Sequence, residues 1–115
     1  MKLIVAGSRT FNNYDLLKEE ITKLIPFNDD LEIVSGTARG ADRLGEKLAE
    51  EFNIKLIKFP ANWDLHGRSA GYKRNQEMAD YADSCIVFWD GQSRGTKHMI
   101  DLAKRYNLNL KVIKY

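Results

Sequence analysis

The sequence predicts an α/β fold: a Rossmann-like, doubly wound and mostly parallel five-stranded sheet with helices on both faces. Along the 115 residues, short runs rich in β-branched residues alternate with longer amphipathic runs, which is the order that a parallel sheet requires. Two of the short runs are apolar throughout, as strands buried on both faces are. Segments containing glycine and arginine follow the first four short runs, as in the ligand sites of such sheets. The length suits a single domain covering residues 1–115.

Two strand–helix units make up the first half of the chain. The run LIVA at residues 3–6 predicts the first strand, and residues 13–25 follow as a helix with leucine and isoleucine at helical spacing. The run LEIVS at residues 31–35 predicts the second strand. Residues 40–52 place alanine, leucine and phenylalanine on one helical face, so this segment is predicted to be the second helix.

The second half continues the alternation, but a long polar loop, PANWDLHGRS, precedes its first helix. Its short runs IKLIKF, SCIVFW and LKVIKY are rich in β-branched and aromatic residues, which favours strands. The predicted elements are strands at 54–59, 84–89 and 110–115, with helices at 70–82 and 95–106.

The character of each strand predicts its place in the sheet. LIVA and CIVFW are apolar throughout and are expected at the centre. The third and fifth strands alternate apolar residues with lysines, as edge strands do. Since crossovers between parallel strands are right-handed, these positions predict the strand order 3-2-1-4-5.

The composition limits the classes of function. The chain is 43% hydrophobic and 30% charged, and its net charge of +2 is too small for a general binder of polyanions, so any basic site must be local. The only cysteine, Cys85, lies in an apolar run and is predicted to be a buried, reduced thiol rather than a nucleophile.

Nothing in the sequence predicts secretion or a membrane partner. The N-terminal MKLIVAG has too few apolar residues before its glycine for a secretory signal peptide. No run approaches the roughly 18 apolar residues of a membrane span. Together with the lone cysteine, these features suit a protein of the reducing cytoplasm, which is the predicted location.

Glycine, arginine and hydroxyl or amide residues follow each of the first four strands. The segments are GSRTF (7–11), SGTARGAD (35–42), GRSAGYKRNQEM (67–78) and DGQSRGT (90–96). The carboxyl ends of parallel strands meet at one edge, and ligands bind there at the point where the strand order switches. The opposite edge would carry IPFNDD, EEFN and RYNLN, which hold no comparable cluster. We therefore expect the four segments to form one site.

The residue types in these segments favour an anionic ligand. Glycine lets the backbone approach a ligand closely, helix N-termini present free N–H groups, and arginine offers a planar pair of donors to phosphate or carboxylate. The predicted ligand-binding residues are Gly7, Ser8, Arg9, Ser35, Gly36, Thr37, Arg39, Gly40, Asp42, Trp63, Arg74, Asn75, Asp90, Gly91, Ser93, Arg94, Gly95 and Thr96.

Within this set, the phosphate is expected against Gly36–Gly40 and Gly91–Thr96, with Arg39 and Arg74 as charge partners. The loop holding Trp63 is expected to cover a base or sugar. Two alternatives stay open for the carboxylates: Asp42 and Asp90 could accept hydrogen bonds from a ligand, or could hold an arginine in place. Asp42 could also serve only as a first-turn carboxylate that the helix dipole favours.

Several well-known sites are excluded by their missing signatures. SGTARGAD lacks the lysine of a phosphate-binding P-loop, and GSRTFN lacks the G-x-G-x-x-G of dinucleotide-binding folds. His66 and His98 stand alone, without the spacing of a metal site. The sequence therefore predicts no metal and no cofactor.

The combination VAGSRTF, SGTARGAD, NWDLHGRSAGYKRNQEM and RGT resembles the SLOG superfamily, and within it the small single-domain branch of YspA/YpsA-related proteins. The resemblance covers essentially the whole chain in order. It implies a Rossmann-like fold that binds a nucleotide or nucleotide-derived ligand at the strand ends, as a sensor or binding module. A homodimer is an open alternative that the relatives suggest.

Two other groups of relatives imply alternative functions. DNA-processing protein A, which binds single-stranded DNA, is similar at GSR, at SGTARGAD and at Arg74-Asn75. The absence of an extra domain and the small net charge weigh against single-stranded nucleic acid as the ligand here.

The LOG-type phosphoribohydrolases, which cleave the base from a nucleoside monophosphate, are similar at Arg74, at Met78 and at Gly95-Thr96. Their pattern PGGxGTxxE places a glutamate where this chain has Met99. No catalytic residue is therefore assigned. If the chain is an enzyme, the resemblance implies a hydrolase of the N-glycosidic bond of a nucleotide.

Overall fold

All five strands of the sheet are parallel, and their order is β3-β2-β1-β4-β5. A computed structural model describes residues 1–115. The strands are β1 (Lys2–Gly7), β2 (Glu32–Ser35), β3 (Lys55–Lys58), β4 (Ser84–Trp89) and β5 (Asn109–Lys114). The predicted fold class, the strand order and the central position of β1 and β4 are thus confirmed.

The helices form a layer on each face of the sheet. They are α1 (Tyr14–Thr22), α2 (Ala41–Glu51), α3 (Trp63–His66), α4 (Ala70–Tyr81) and α5 (Arg94–Arg105). The helices α1 and α2 pack on one face through residues such as Leu17 and Leu48, and α4 and α5 pack on the other through Met78 and Met99. No helix has the length and hydropathy needed to cross a membrane.

The first helix is shorter than the predicted 13–25. Asn13 caps its start, where the side-chain Oδ1 accepts the backbone N–H of Leu16 at 3.1 Å. The helix ends at Thr22, and a 3₁₀ turn follows at Ile25–Phe27. Pro26 explains the break, because proline has no N–H to donate to the carbonyl of Thr22 four residues before it.

The segment predicted to be a loop before the third long helix contains α3 and a 3₁₀ turn at Gly67–Ser69. Asn62 caps α3 by accepting the N–H of Leu65 at 3.1 Å. Gly67 ends it with a φ of +55°. At four residues, α3 is too short for helical periodicity to reveal it, but it fixes where Trp63 lies.

Cys85 is buried in β4, as predicted. Burial raises the pKa of its thiol to about 12, so the nucleophilic thiolate is essentially absent at neutral pH.

Candidate functional site

Two adjoining clefts open at the carboxyl-terminal edge of the sheet, where β1 leads to one helical layer and β4 to the other. The central cleft encloses about 220 Å³ and is lined by Ala6, Gly7, Arg9, Ala38, Asp42, Trp63, Arg68, Gly71, Tyr72, Arg74, Asn75, Met78, Ser93, Gly95, Thr96 and Met99. The arginine cleft encloses about 230 Å³ and is lined by Arg9, Gly36, Thr37, Ala38, Arg39, Arg43, Ala61, Trp63 and Arg74. Each cleft is smaller than the roughly 300–1,000 Å³ of typical small-molecule sites, and together they reach that range.

The backbone of the segment SGTARGAD takes an unusual path along the arginine cleft. Thr37 has a φ of +65°, which is rare for a β-branched residue. Its N–H donates to the buried Oγ of Ser35 at 3.0 Å, and its carbonyl accepts Nε of Arg43 at 3.1 Å. Such left-handed backbone persists only where its surroundings impose it, and it is concentrated at functional sites.

Glycine is required at two positions of this segment by different contacts. Gly40 has a φ of +80°, and a Cβ there would collide with the carbonyl of Ser8 in the neighbouring loop. A Cβ on Gly36 would lie 2.8 Å from Oδ2 of Asp42 and 2.9 Å from Nη1 of Arg74. Gly36 therefore allows a carboxylate and a guanidinium to approach the same backbone.

Asp42 lies in the first turn of α2, at the wall of the central cleft, and only 5% of its surface is exposed. Burial raises the pKa of its carboxyl to about 6. The N–H of Ala38, which donates to Oδ2 at 3.2 Å, and the charge of Arg74 both lower the pKa but do not cancel the effect of burial. Asp42 is thus a carboxylate that changes charge close to neutral pH.

Arg74, on α4, forms the wall between the two clefts. Its Nη1 donates to the carbonyl oxygen of Gly36, and its Nε donates to Oδ1 of Asn75 at 3.0 Å. Burial lowers the pKa of the guanidinium, yet an arginine stays protonated at neutral pH. These two bonds hold the plane of the guanidinium and leave Nη2 without a partner in the protein.

Asn75 connects Arg74 to α5. Because its Oδ1 accepts from Arg74, its Nδ2 is the atom that faces α5, where it lies 3.3 Å from the carbonyl of Gly95 and 3.2 Å from Nδ1 of His98. His98 must then accept at Nδ1 and carry its proton on Nε2. Burial lowers the pKa of His98, which favours this neutral form, and the ring of Tyr72 packs edge-on against it with centroids 4.5 Å apart.

The loop after β4 is held by side chains that accept hydrogen bonds from its backbone. Oδ1 of Asp90 accepts the N–H groups of Gln92 at 2.9 Å and Ser93 at 2.8 Å, and these bonds lower the pKa of Asp90. The N–H of Asp90 donates to Oγ of the buried Ser8 at 3.1 Å, which ties this loop to the one after β1. Asp90 therefore organises the loop and holds no arginine.

The ion pairs of the molecule leave every arginine unpaired. All five salt bridges are formed by lysines, and no carboxylate oxygen lies within 4.0 Å of an arginine nitrogen. Four of the arginines line one cleft. Like charges gathered in this way repel one another: Arg9 lowers the pKa of Arg74, although burial lowers it more and the charge of Asp42 raises it by more than Arg9 lowers it.

Twelve of the predicted binding residues line a cleft, and six do not. The central cleft contains Gly7, Arg9, Asp42, Trp63, Arg74, Asn75, Ser93, Gly95 and Thr96, and the arginine cleft adds Gly36, Thr37 and Arg39. The residues outside both linings are Ser8, Ser35, Gly40, Asp90, Gly91 and Arg94. Of these, Ser8, Ser35 and Asp90 hydrogen-bond the loops in place, whereas Gly91 and Arg94 are exposed.

Some lining residues are missing from the prediction. Arg43, in the first turn of α2, reaches the arginine cleft. Within α4, helical spacing from Asn75 brings Gly71 and Met78 to the central cleft. That spacing is the signal that could have found them. The others not included are Ala6, Ala38, Ala61, Arg68, Tyr72 and Met99. No group of three His, Cys, Asp or Glu residues is placed to hold a metal ion.

Two solved structures of DNA-processing proteins have a similar fold. The protein DprA from Streptococcus pneumoniae superposes with a TM-score of 0.73 at 19% identity, over 96% of this chain and 49% of that chain. DprA from Helicobacter pylori, described as binding single-stranded DNA, has a TM-score of 0.64 at 19% identity, over 97% and 64% of the two chains. The chain thus spans about half to two thirds of their length, and at this identity the likeness shows the fold alone.

A phage protein has a higher sequence identity to this chain than these two structures have. The Gene 61 protein of Mycobacterium phage D29 is 34% identical in an alignment 114 residues long, which covers 90% of this chain and 89% of that protein. The model of the YspA, cpYpsA-related SLOG family matches residues 1–66. These residues include β1, β2 and the segment SGTARGAD, which connects β2 to α2. The chain belongs to the YspA, cpYpsA-related SLOG family.

Proposed function

We propose that this chain binds a nucleotide or nucleotide-derived ligand that carries phosphate, at the two clefts on the carboxyl-terminal edge of the sheet. The observation that carries the proposal is the set of four arginines around one cleft with no carboxylate paired to any of them. Unpaired positive charges at this density repel one another, and a bound anion would compensate them.

The two clefts suit different parts of such a ligand. The arginine cleft offers guanidinium donors, which bind phosphate in a planar, paired geometry. In the central cleft, Met78 and Met99 add apolar surface, and the rings of Trp63 and Tyr72 are 52% and 45% exposed at its rim. Partly exposed aromatic rings at a cleft are suited to stacking on a base. The ligand's base would therefore occupy the central cleft, and its phosphate the arginine cleft.

Single-stranded nucleic acid is a second candidate. The observation that favours it is the continuity of the two clefts, which share Arg9, Ala38, Trp63 and Arg74 and are open to solvent. A strand could follow such a groove with a base stacked on Trp63. The related fold of the Helicobacter pylori protein, which is described as binding single-stranded DNA, is compatible with this alternative.

The hydrolase alternative has weaker support. Met99, which stands where the LOG pattern has a glutamate, is buried and lines the central cleft. The one carboxylate among the residues that line this cleft is Asp42, which lies against Arg74 and the N–H of Ala38. A chromatographic assay for free base, with AMP, GMP, CMP and UMP as substrates, tests this function, and release of any base would support it.

Isothermal titration calorimetry tests the binding proposal. We expect at least one common nucleotide to bind the parent protein with a Kd below about 1 mM. Replacement of Arg74 by alanine should weaken that binding by roughly ten- to hundredfold, because charge-assisted hydrogen bonds are lost. Arg105→Ala, at the far end of α5, removes the same charge away from the clefts and is the matched control.

Three results separate the candidates. If no nucleotide binds at millimolar concentration, the proposal is wrong. If Arg105→Ala weakens binding as much as Arg74→Ala, the effect is general electrostatics and the clefts are not the site. If affinity instead rises with oligonucleotide length and falls steeply with salt, single-stranded nucleic acid is the ligand.

A further inference from the structure

We infer that the ligand carries two linked phosphate groups, one of them terminal as in a nucleoside diphosphate, and that both groups lie in the arginine cleft. This inference rests on the proposed function and specifies its ligand class. The observation behind it is the number and the arrangement of the guanidinium groups around that cleft.

Charge balance favours two phosphates over one. Arg9, Arg39, Arg43 and Arg74 give the arginine cleft four formal positive charges, and no acidic residue is among its lining residues. Asp42, beside Arg74 in the neighbouring cleft, offsets at most one of them. A single terminal phosphate brings a charge of about −1.5 to −2, and each further linked phosphate adds about one negative charge. A monophosphate would leave the cleft positive, whereas a diphosphate would bring it close to neutrality.

The four guanidinium groups form two kinds of donor. Arg43 and Arg74 are already held by the protein, because each gives its Nε to a neighbouring group: the carbonyl of Thr37 and Oδ1 of Asn75, respectively. Arg9 and Arg39 make no such hydrogen bond; both are exposed, as Arg43 also is. One pair is thus oriented before a ligand arrives, and the other is free to close on it. A held pair can position the inner phosphate, and the free pair can take up a second one.

The central cleft is a poor place for the second phosphate. The carboxylate of Asp42 faces it and would repel an anion, and Arg68 is the one arginine of its lining that does not also line the arginine cleft. At the start of α5 the N–H of Thr96 is already directed at Oγ of Ser93, at 3.4 Å, so it is not free for a ligand. The central cleft therefore suits the uncharged part of the ligand, and both phosphates fall to the arginine cleft.

Calorimetry with the full chain, in EDTA to exclude divalent metal ions, tests this assignment. The probes are ADP and GDP, AMP and GMP, adenosine and guanosine, and the base-free anions pyrophosphate and phosphate. We expect each diphosphate to bind about ten- to hundredfold more tightly than the matching monophosphate, and pyrophosphate to bind more tightly than phosphate by a similar factor. Arg39→Ala and Arg43→Ala should remove most of this preference, with Arg105→Ala as the control for overall charge.

The outcomes distinguish this inference from the proposed function. Equal affinity for diphosphates and monophosphates overturns the inference and leaves the proposed function intact. A preference for diphosphates that persists in both Arg39→Ala and Arg43→Ala also overturns it. If pyrophosphate binds selectively and no nucleotide does, the proposed function is wrong while the two-phosphate cleft is supported. If none of the probes binds, both are wrong.

Discussion

At the scale of single residues, the chemistry of the site depends on a carboxylate and a guanidinium brought together beneath one glycine. Asp42 and Arg74 approach the same backbone at Gly36, where a Cβ would meet both side chains. Burial removes water from both side chains and disfavours their charged forms, so it raises the pKa of Asp42 and lowers that of Arg74. Buried ionisable groups of this kind are concentrated at functional sites, where they are retained at a cost in stability.

That cost at Asp42 predicts how stability depends on pH. The pKa of Asp42 in the folded protein is about 6, against an ordinary value of 3.8. The folded state therefore binds this proton more tightly, so the stabilisation is complete below pH 4 and is lost as the pH rises through about 6. The loss is on the order of 3 kcal/mol. Asp42→Asn, which keeps the shape without the charge, should not show it.

Urea unfolding of the parent and of Asp42→Asn between pH 4 and pH 7 measures this difference. We expect the free energy of unfolding of the parent to fall relative to the variant by roughly 3 kcal/mol over that range. Parallel curves for the two proteins would mean that Asp42 ionises in the folded state as it does in the unfolded chain.

At the scale of elements, the connection between β2 and α2 shapes the arginine cleft. Its path requires Thr37 at a φ of +65° and Gly40 at a φ of +80°, packed against the carbonyl of Ser8. The sequence signals glycine and an N-terminal helical turn here, but it does not indicate that a threonine would take left-handed backbone. That conformation is imposed by Ser35 and Arg43, whose hydrogen bonds to Thr37 exist only in the folded state.

A pair of glycine substitutions tests this account of the connection. Gly40→Ala should lower the free energy of unfolding by about 2 kcal/mol or more, because its Cβ is strained at positive φ and meets Ser8. Gly95→Ala, in the first turn of α5 with open space around it, should be neutral or stabilise by about 0.5–1 kcal/mol. Thermal or urea unfolding measures both. Equal effects at the two positions would contradict the structural role given to Gly40.

The elements also show where sequence patterns suffice and where they do not. The strands were predictable because β1 and β4 are buried on both faces and therefore apolar throughout. The four loops after β1 to β4 were expected to lie together, because the carboxyl ends of parallel strands meet at one edge of the sheet. The short helix α3 was not predictable, since four residues show no period. Nor was the hydrogen bond from the backbone N–H of Asp90 to Oγ of Ser8, because the two residues lie 82 positions apart in the chain.

At the scale of the whole molecule, two hydrophobic cores share one sheet. Alternate residues of β1 point to opposite faces: Leu3 and Val5 belong to one core, and Ile4 and Ala6 to the other. Neither helical layer can separate without exposing the apolar residues of β1 that it covers, and the same strand carries the core of the other layer. We therefore propose that residues 1–115 form one domain that unfolds cooperatively.

Coincident urea transitions would support this proposal. The far-ultraviolet circular dichroism signal reports the helices on both faces of the sheet. Tryptophan fluorescence reports Trp63 and Trp89, which lie near the carboxyl-terminal edge. We expect one midpoint and one slope from both probes. A fluorescence transition that clearly precedes the loss of helix would mean that the site-bearing edge unfolds as a separate unit.

Nuclear magnetic resonance mapping tests most directly whether a phosphate-bearing nucleotide occupies the two clefts. With ¹⁵N-labelled protein titrated with ADP, we expect the largest shift changes at the backbone amides of Gly36–Gly40 and at the indole N–H of Trp63. The amides of Asn28, Asp29 and Asp30, at the opposite edge of the sheet, should not change. Shift changes confined to that opposite edge, or none at millimolar ADP and at millimolar GDP, would contradict the account.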